Sequence, residues 1–479
     1  MTAIFPSSPS RRDFLWEAGN GFVGTALAWL LARDGVLAGD APGLARLPSP
    51  HHPPKATSCI FLFMKGGPSQ FDTFDPKPEL VKRHGSRHDF RASSRITQRA
   101  SGSLMGSPFR FQRAGQAGTP ISELLPHLAG CVDGMAVIRG TCADSTTHGS
   151  ACIQMNTGFI RNGFPSLGAW TTYGLGSLNA DLPGFVVVGQ SSVVYGKEQN
   201  WSAGFLPSQH QGTVIDVAAP TTPPIRNLAS SGRLSLEQQR QQLDFLARLN
   251  QRHQEALPLE PDLAARIANY ELAYRMQAAA PEAVDFSRET RETLALYGID
   301  SPPTNEFGRK CLLARRLIER GVRFALLFHP VNQGGNNDWD THNDNDQRVR
   351  TMCQATDQPI AALLKDLKQR GLLESTLVVW AGEFGRTPIG GTDARAGRDH
   401  HPVSFTTWMA GGGIKGGTVH GSTDELGYDV ASGRVHVHDM QATILHLMGL
   451  NHERLTYRYQ GRDFRLTDVE GHVVREILA

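Results

Sequence analysis

Nowhere in the 479 residues do roughly 18 apolar residues run together, the length that a membrane-spanning helix demands, so no stable span is expected in the mature protein. The six cysteines (Cys59, Cys131, Cys142, Cys152, Cys311, Cys353) contain no Cys-x-x-Cys pair and lie far apart, mostly in apolar runs. Most are expected to be buried thiols, the alternative being one or two disulfides whose pairing the sequence does not give. Charge of one sign is missing too: 48 basic residues stand against 46 acidic ones. With no basic block and no aromatics interleaved with Lys or Arg, a nucleic-acid partner is not expected. There is no Gly-x-Ser-x-Gly, which removes the usual serine-esterase elbow. Gly411 to Gly417 lacks the Gly-Lys-Ser/Thr ending of a phosphate loop and is expected to form a flexible hairpin over the site.

What is present is a chain with 40% apolar residues, long enough to bury one large core or two unequal ones. Its start, Ser10-Arg11-Arg12-Asp13-Phe14-Leu15, has the paired arginines of a twin-arginine export signal, followed by a weakly apolar, glycine-containing stretch from Gly19 to Ala32. Val36-Leu37-Ala38 offers small residues for signal cleavage. Residues 1–40 are therefore read as a leader recognised by the twin-arginine machinery, which would place the folded protein in the periplasm or outside the cell. Pro, Ala and His make residues 41–56 a linker, and 57–479 the domain.

Continuous apolar runs of strand length occur at Cys59 to Met64, Met135 to Arg139, Phe185 to Val188, Phe324 to Phe328 and Leu377 to Trp380. Helical patterns lie between several of them: Ser122 to Leu128, Phe307 to Ile318, and Ile360 to Leu367. This alternation predicts an α/β fold, a mostly parallel central sheet with helices on both faces. Residues 234–297 read as a helical insertion packed on the sheet, opened by a Ser235-x-x-Gln238 capping box. Asp439 is expected to cap a late helix that carries Met440, Ile444 and Leu447 and stops at Gly449.

Ligands of open α/β sheets bind at the carboxyl ends of the strands. Four such ends are loaded with chemistry. Gly66-Gly67-Pro68 turns and presents Asp72 and Asp75; Asp144-Ser145-Thr146-Thr147-His148 sets hydroxyls beside an imidazole. Asp338-Trp339-Asp340-Thr341-His342 has the carboxylate and imidazole spacing for one divalent ion. Glu383 and Arg386, then Arg398-Asp399-His400-His401, add a carboxylate, imidazoles and guanidinium groups suited to a phosphate or sulfate. His51, His52, His253, His446 and His452 are left as structural or surface residues.

The runs Gly66 to Pro78, Trp339 to His342, Gly382 to Pro388, Gly397 to His400 and Gly411 to Gly417, behind a twin-arginine leader, together resemble a large bacterial family. That family is known chiefly as a domain of unknown function whose members are often labelled sulfatase, with an alkaline-phosphatase-like fold. The resemblance implies one or two divalent ions (Zn, Ca, Mg or Mn). Asp72, Asp340, His342, Glu383 and His400 would be the ligands, and Thr147 or a neighbouring hydroxyl such as Ser145 the nucleophile. Phe384 stands where the wider superfamily has a histidine, so a second ion needs a nitrogen from His148 or His401. Neither Cys142 nor Cys152 lies in the Cys/Ser-x-Pro/Ala-x-Arg motif of formylglycine sulfatases. The expectation is a hydrolase of phosphate or sulfate esters, carbohydrate esters among them. Thr147 would attack, His148 would move its proton and Arg386 would neutralise the non-bridging oxygens. The rival is a non-catalytic extracytoplasmic binding protein that keeps the fold.

Overall fold

Every residue of β1 (Ser58–Phe63) is buried, and alternate side chains serve opposite cores: Ile60 and Leu62 on one face, Cys59, Phe61 and Phe63 on the other. That is the behaviour of a strand covered on both sides, where each fully buried Phe or Leu contributes about 1.5–3 kcal/mol. The computed structural model describes residues 48–90, 99–189, 194–217, 224–225, 228, 235–256, 261–329, 338–393 and 395–479. The expected twin-arginine leader, residues 1–40, and residues 41–47 lie outside them. Residues 48–56, expected as linker, are tied down: His51 and His52 donate backbone N–H groups to the Gly449 carbonyl, and Lys55 and Ala56 to that of Leu447.

The remaining strands that position the site are β2 (Met135–Cys142), β3 (Phe185–Val188), β4 (Thr213–Ile215), β5 (Phe324–Phe328), β6 (Thr376–Ala381), β7 (Gly385–Gly390), β8 (Arg398–His401), β9 (Phe405–Gly411), β10 (Thr418–His420) and β11 (Val435–His436). The main sheet runs β10-β2-β9-β6-β1-β5-β3-β4, with β11 also alongside β2. All its pairings are parallel except those of β9 with β6 and with β2. The pair β7 and β8 belongs to a separate, four-stranded antiparallel sheet. The expected α/β class with a mostly parallel sheet is what the chain forms.

Seven helices matter here: α1 (His148–Thr157), α2 (Leu167–Leu175), α3 (Leu236–Ala256), α4 (Pro261–Val284), α5 (Asn305–Glu319), α6 (Asn345–Gln369) and α7 (Val437–Leu447). The ends of α4, α5 and α6 cover the face carrying Ile60 and Leu62, while α1, α2 and α7 cover the face carrying Phe61 and Phe63.

Four local expectations are corrected. Ser122 ends a strand, Thr119–Ser122, and the helix begins only at Pro126, whose fixed φ and missing N–H suit a first helical position. Because β9 runs against its neighbours, Gly411 pairs with Leu377 at the start of β6, so the glycine-rich loop lies at the end of the sheet away from the candidate site. Asp439 is not the cap of α7: His436 is, and Asp439 accepts the His436 N–H at 2.8 Å to complete a capping box. The insertion is less packed than its pattern implied. Leu236, Phe245, Leu246 and Leu249 of α3 are exposed; Arg240 binds Glu271 of α4 at 2.8 Å, and α4 carries Met276, Ala280 and Ala283 into the core. The Ser235 and Gln238 capping box forms as expected.

All six cysteines are free thiols, five of them buried and Cys131 partly so. Among the described residues no helix is long and apolar enough to cross a membrane.

Candidate metal centre

The loop after β2 delivers His148 at the first position of α1, the turn after β6 delivers Glu383, and the pairing of Arg386 with His400 sets β8 beside β7. Two glycines make the approach possible. A Cβ on Gly66, whose φ is +112°, would lie 2.5 Å from the Asp340 nitrogen, and one on Gly397 would lie 2.1 Å from the His342 carbonyl carbon. Gly66 thus lets the turn after β1 touch the Asp340 loop, and Gly397 lets the strand carrying His400 close on His342.

Three imidazoles converge on Asp340 Oδ1: His148 Nε2 at 3.3 Å, His342 Nε2 at 3.2 Å and His400 Nε2 at 3.1 Å. The other ring nitrogen of each is spoken for. His148 Nδ1 donates to Glu383 Oε1 at 2.6 Å, His342 Nδ1 to Asp399 Oδ1 at 2.9 Å and His400 Nδ1 to the Thr146 carbonyl at 2.7 Å. A carboxylate or carbonyl oxygen can only accept, so each Nδ1 carries a proton, and each ring when neutral points an Nε2 lone pair at the same place. His342 and His400 face each other Nε2 to Nε2 at 3.0 Å.

Without a cation, protons take that place. Burial lowers His148, but hydrogen bonds to Asp340 and Glu383 outweigh it and raise it to about 9; bonds to Asp340 and Asp399 raise His342 to about 9 against its burial. His400 is held below the usual imidazole range by burial, helped by Arg386 and His148. Burial would raise Asp340, yet its three imidazole partners and Arg386 hold its carboxyl well below the usual range.

These residues fit a divalent ion. Zinc bonds of about 2.0–2.1 Å in a tetrahedron put ligand atoms about 3.3 Å apart; each imidazole nitrogen lies 3.1–3.3 Å from Asp340 Oδ1, and the ligand atoms of His148, Asp340 and His400 all lie within 4.8 Å of one another. An ion there would replace protons held between lone pairs, and the oriented Nδ1–H groups are the usual support of metal-binding histidines.

The sequence-derived residues are distributed differently from their assigned roles. Asp340, His342 and His400 meet as expected, but His148, assigned as a base, stands with them, its Nε2 3.3 Å from Asp340 Oδ1. Of the two histidines weighed against Phe384, His148 faces this centre, while His401 is fully buried and bonded to the Tyr428 carbonyl at 2.6 Å. Glu383 orients His148 and accepts the Gly66 N–H at 2.9 and 3.1 Å, so it acts through the imidazole. Asp72 is fully buried against Ser69, Asn345 and Arg398, at 2.5, 3.2 and 3.2 Å, a charge compensated inside the protein. Arg386 has no exposed surface: Nε reaches the Gly67 carbonyl, Nη1 that of Arg398, and Nη2 those of Gly66 and Trp339 and, at 2.7 Å, Asp340. Its guanidinium is a clamp on the surrounding backbone, and with no exposed surface it does not face an ester. Thr147 is exposed at the N-cap of α1 with its hydroxyl uncommitted, while Ser145 Oγ accepts the Thr147 N–H at 3.1 Å and shapes the turn.

Sequence reasoning missed Asp399 as the orienter of His342, although it lies inside a motif already singled out. It also missed Tyr195, whose ring stacks on His148 with centroids 4.4 Å apart and whose hydroxyl reaches Asp338 at 3.2 Å. Nothing near Tyr195 in the sequence signals that contact. Phe384 packs against His148 and His400 with ring centroids at 4.9 and 4.4 Å.

Residues 56–478 match the model of a family described as "Protein of unknown function (DUF1501)". No curated protein matches the chain in sequence. Among solved structures, it is similar to the lipoteichoic acid synthase LtaP from Listeria monocytogenes at 9% identity, over 86% of this chain and 74% of that one, with a TM-score of 0.38. It is similar to the PsFucS1 sulfatase from Pseudoalteromonas sp. at 13% identity, over 93% and 73%, with a TM-score of 0.35. It is also similar to the alkaline phosphatase of the Antarctic bacterium TAB5 at 11% identity, over 75% and 92%, with a TM-score of 0.29.

Proposed function

We propose, on the premise that this chain belongs to the DUF1501 family, that it is an exported metal-dependent hydrolase of phosphate or sulfate esters. The observation that carries this reading is the convergence of three oriented imidazoles on one carboxylate oxygen. Of the ions considered, a site richer in imidazole than in oxygen suits zinc better than calcium or magnesium. Bound there, the ion would polarise an ester oxygen and lower the pKa of a hydroxyl or water.

The chain's own residues do the rest. Glu383, Asp399 and the Thr146 carbonyl hold the imidazoles in one tautomer, and Arg386 fixes Asp340 from behind. The rings of Tyr195 and Phe384 cover His148 and shield it from water. Thr147 is the nucleophile in this reading, because its hydroxyl is exposed, uncommitted and adjacent to a ligand. No side chain caps the first turn of α1, so the N–H groups there, rather than Arg386, are the donors for the non-bridging oxygens. The binding-protein alternative draws support from one fact, the full burial of Arg386 among internal contacts.

The test is metal analysis of the purified protein, followed by turnover of aryl phosphates and aryl sulfates by wild type and His400→Ala. Metal-dependent turnover lost in the variant supports the hydrolase. A metal-loaded wild type inert toward both ester classes moves the reading to the binding protein. Export rests on Arg11 and Arg12: their joint replacement by lysine should strand the protein in the cytoplasm, and normal export of that variant would remove this part of the proposal.

A further inference from the structure

A second cluster lies where β11 enters α7. His436, His438 and Glu470 each offer a ligand atom, and these atoms lie within 4.8 Å of one another. Both imidazoles have one nitrogen fixed by an acceptor. His436 Nε2 donates to Asp144 Oδ2 at 3.1 Å, and His438 Nε2 donates to the Gly158 carbonyl at 2.6 Å. A carboxylate and a carbonyl only accept, so both rings keep the proton on Nε2 and direct a bare Nδ1 toward Glu470 Oε2, at 4.0 Å from His436 and 3.5 Å from His438. One imidazole backed by a carboxylate and another by a carbonyl is the support that metal-binding histidines have.

We propose that His436, His438 and Glu470 form a second metal site, for zinc or a similar divalent transition ion, separate from the centre on Asp340. The observed separations of 3.5 and 4.0 Å lie at and somewhat above the roughly 3.3–3.5 Å at which tetrahedral zinc holds neighbouring ligand atoms. Glu470 is well exposed, at 62%, so its carboxylate is free to close the remaining gap. Two features oppose an ion here: the positive end of α7, and the His438 N–H that His436 Nδ1 accepts at 3.3 Å. The Glu470 charge offsets the first, and the capping bond is long enough to be the weaker claim on that lone pair.

The site has a structural consequence for the first centre. Asp144 lies four residues before His148, and Gly158 is the C-cap of α1, so the two imidazoles grip the chain on both sides of the helix that delivers His148. An ion joining them to Glu470 ties that helix to the C-terminal segment. Its role is to hold α1 in place, which requires neither turnover nor an ion on Asp340.

The experiment strips the purified protein with a chelator, reloads it with zinc and counts tightly held ions per chain in wild type, His438→Gln, Glu470→Gln and His148→Ala. Glutamine at 438 keeps a donor for the Gly158 carbonyl and removes the ligand nitrogen, so the fold has a control. The expected result is two ions in wild type and one in each variant, with zinc still raising the melting temperature of His148→Ala. A wild type with one ion that His438→Gln removes also supports this site, and tells instead against the Asp340 centre. An ion count unchanged by both His438→Gln and Glu470→Gln overturns the proposal.

Discussion

His342 and His400 stand Nε2 to Nε2 at 3.0 Å while each donates its other ring proton to a fixed acceptor, the Asp399 carboxylate and the Thr146 carbonyl. Two neutral rings so arranged repel through facing lone pairs, and only a proton or a metal ion between them relieves it. With a cation proposed at that point, the variants can be ranked by how directly each residue would meet it.

Residues that act through an imidazole should matter less than the imidazole itself. Glu383→Gln and Asp399→Asn should each weaken metal binding about 10–100-fold, whereas His400→Ala should abolish it. Competition against a chelator of known affinity measures all three. Unchanged affinity in both carboxylate variants would show that the tautomers are set by something else.

The pH dependence has two opposite signs. With no metal, His148 and His342 are raised to about 9 from an ordinary value of 6.5, so their protonation stabilises the fold fully below pH 6.5, and that stabilisation is lost as the pH rises through 9. Metal must displace those protons, so zinc affinity should climb over the same interval and binding at pH 7 should release protons. Calorimetric titration in two buffers of different ionisation enthalpy counts them. An affinity flat between pH 6.5 and 9 contradicts the assignment of these two histidines as ligands.

Thr147→Ala should lower kcat by several orders of magnitude with zinc content intact, because the attacking oxygen goes and the electrostatics stay. Ser145→Ala and Cys152→Ala should change it only a few-fold. Ser145 shapes a turn, and burial together with the Glu383 charge pushes the Cys152 thiol far above the range where it would react. Full activity in Thr147→Ala leaves water as the attacker.

Arg386→Met should destabilise the protein by about 3–5 kcal/mol in urea denaturation, since a fully buried cation disappears and leaves Asp340 and several carbonyls without their donor. A loss below about 1 kcal/mol would mean that the clamp is dispensable.

The sheet was legible because a parallel strand buried on both faces must be apolar at every position, as Ser58–Phe63 nearly is, and because the direction of such strands gathers the residues that follow them at one edge. That physics brought Asp340, His342, His400 and His148 into one short list from local pattern alone. It could not say which way the single antiparallel strand would carry the glycine-rich loop, because a strand's direction is set by its partners and not by its own residues. Nor could it divide the roles. Asp72 and Asp340 are alike as sequence, yet one is neutralised by Arg398 and the other faces three imidazoles. His148 turns its Nε2 toward Asp340 because Glu383, distant in the chain, accepts its Nδ1 proton at 2.6 Å. A titratable group's chemistry is decided by the charges and hydrogen-bond partners a few ångströms away, and only the tertiary structure brings those partners together.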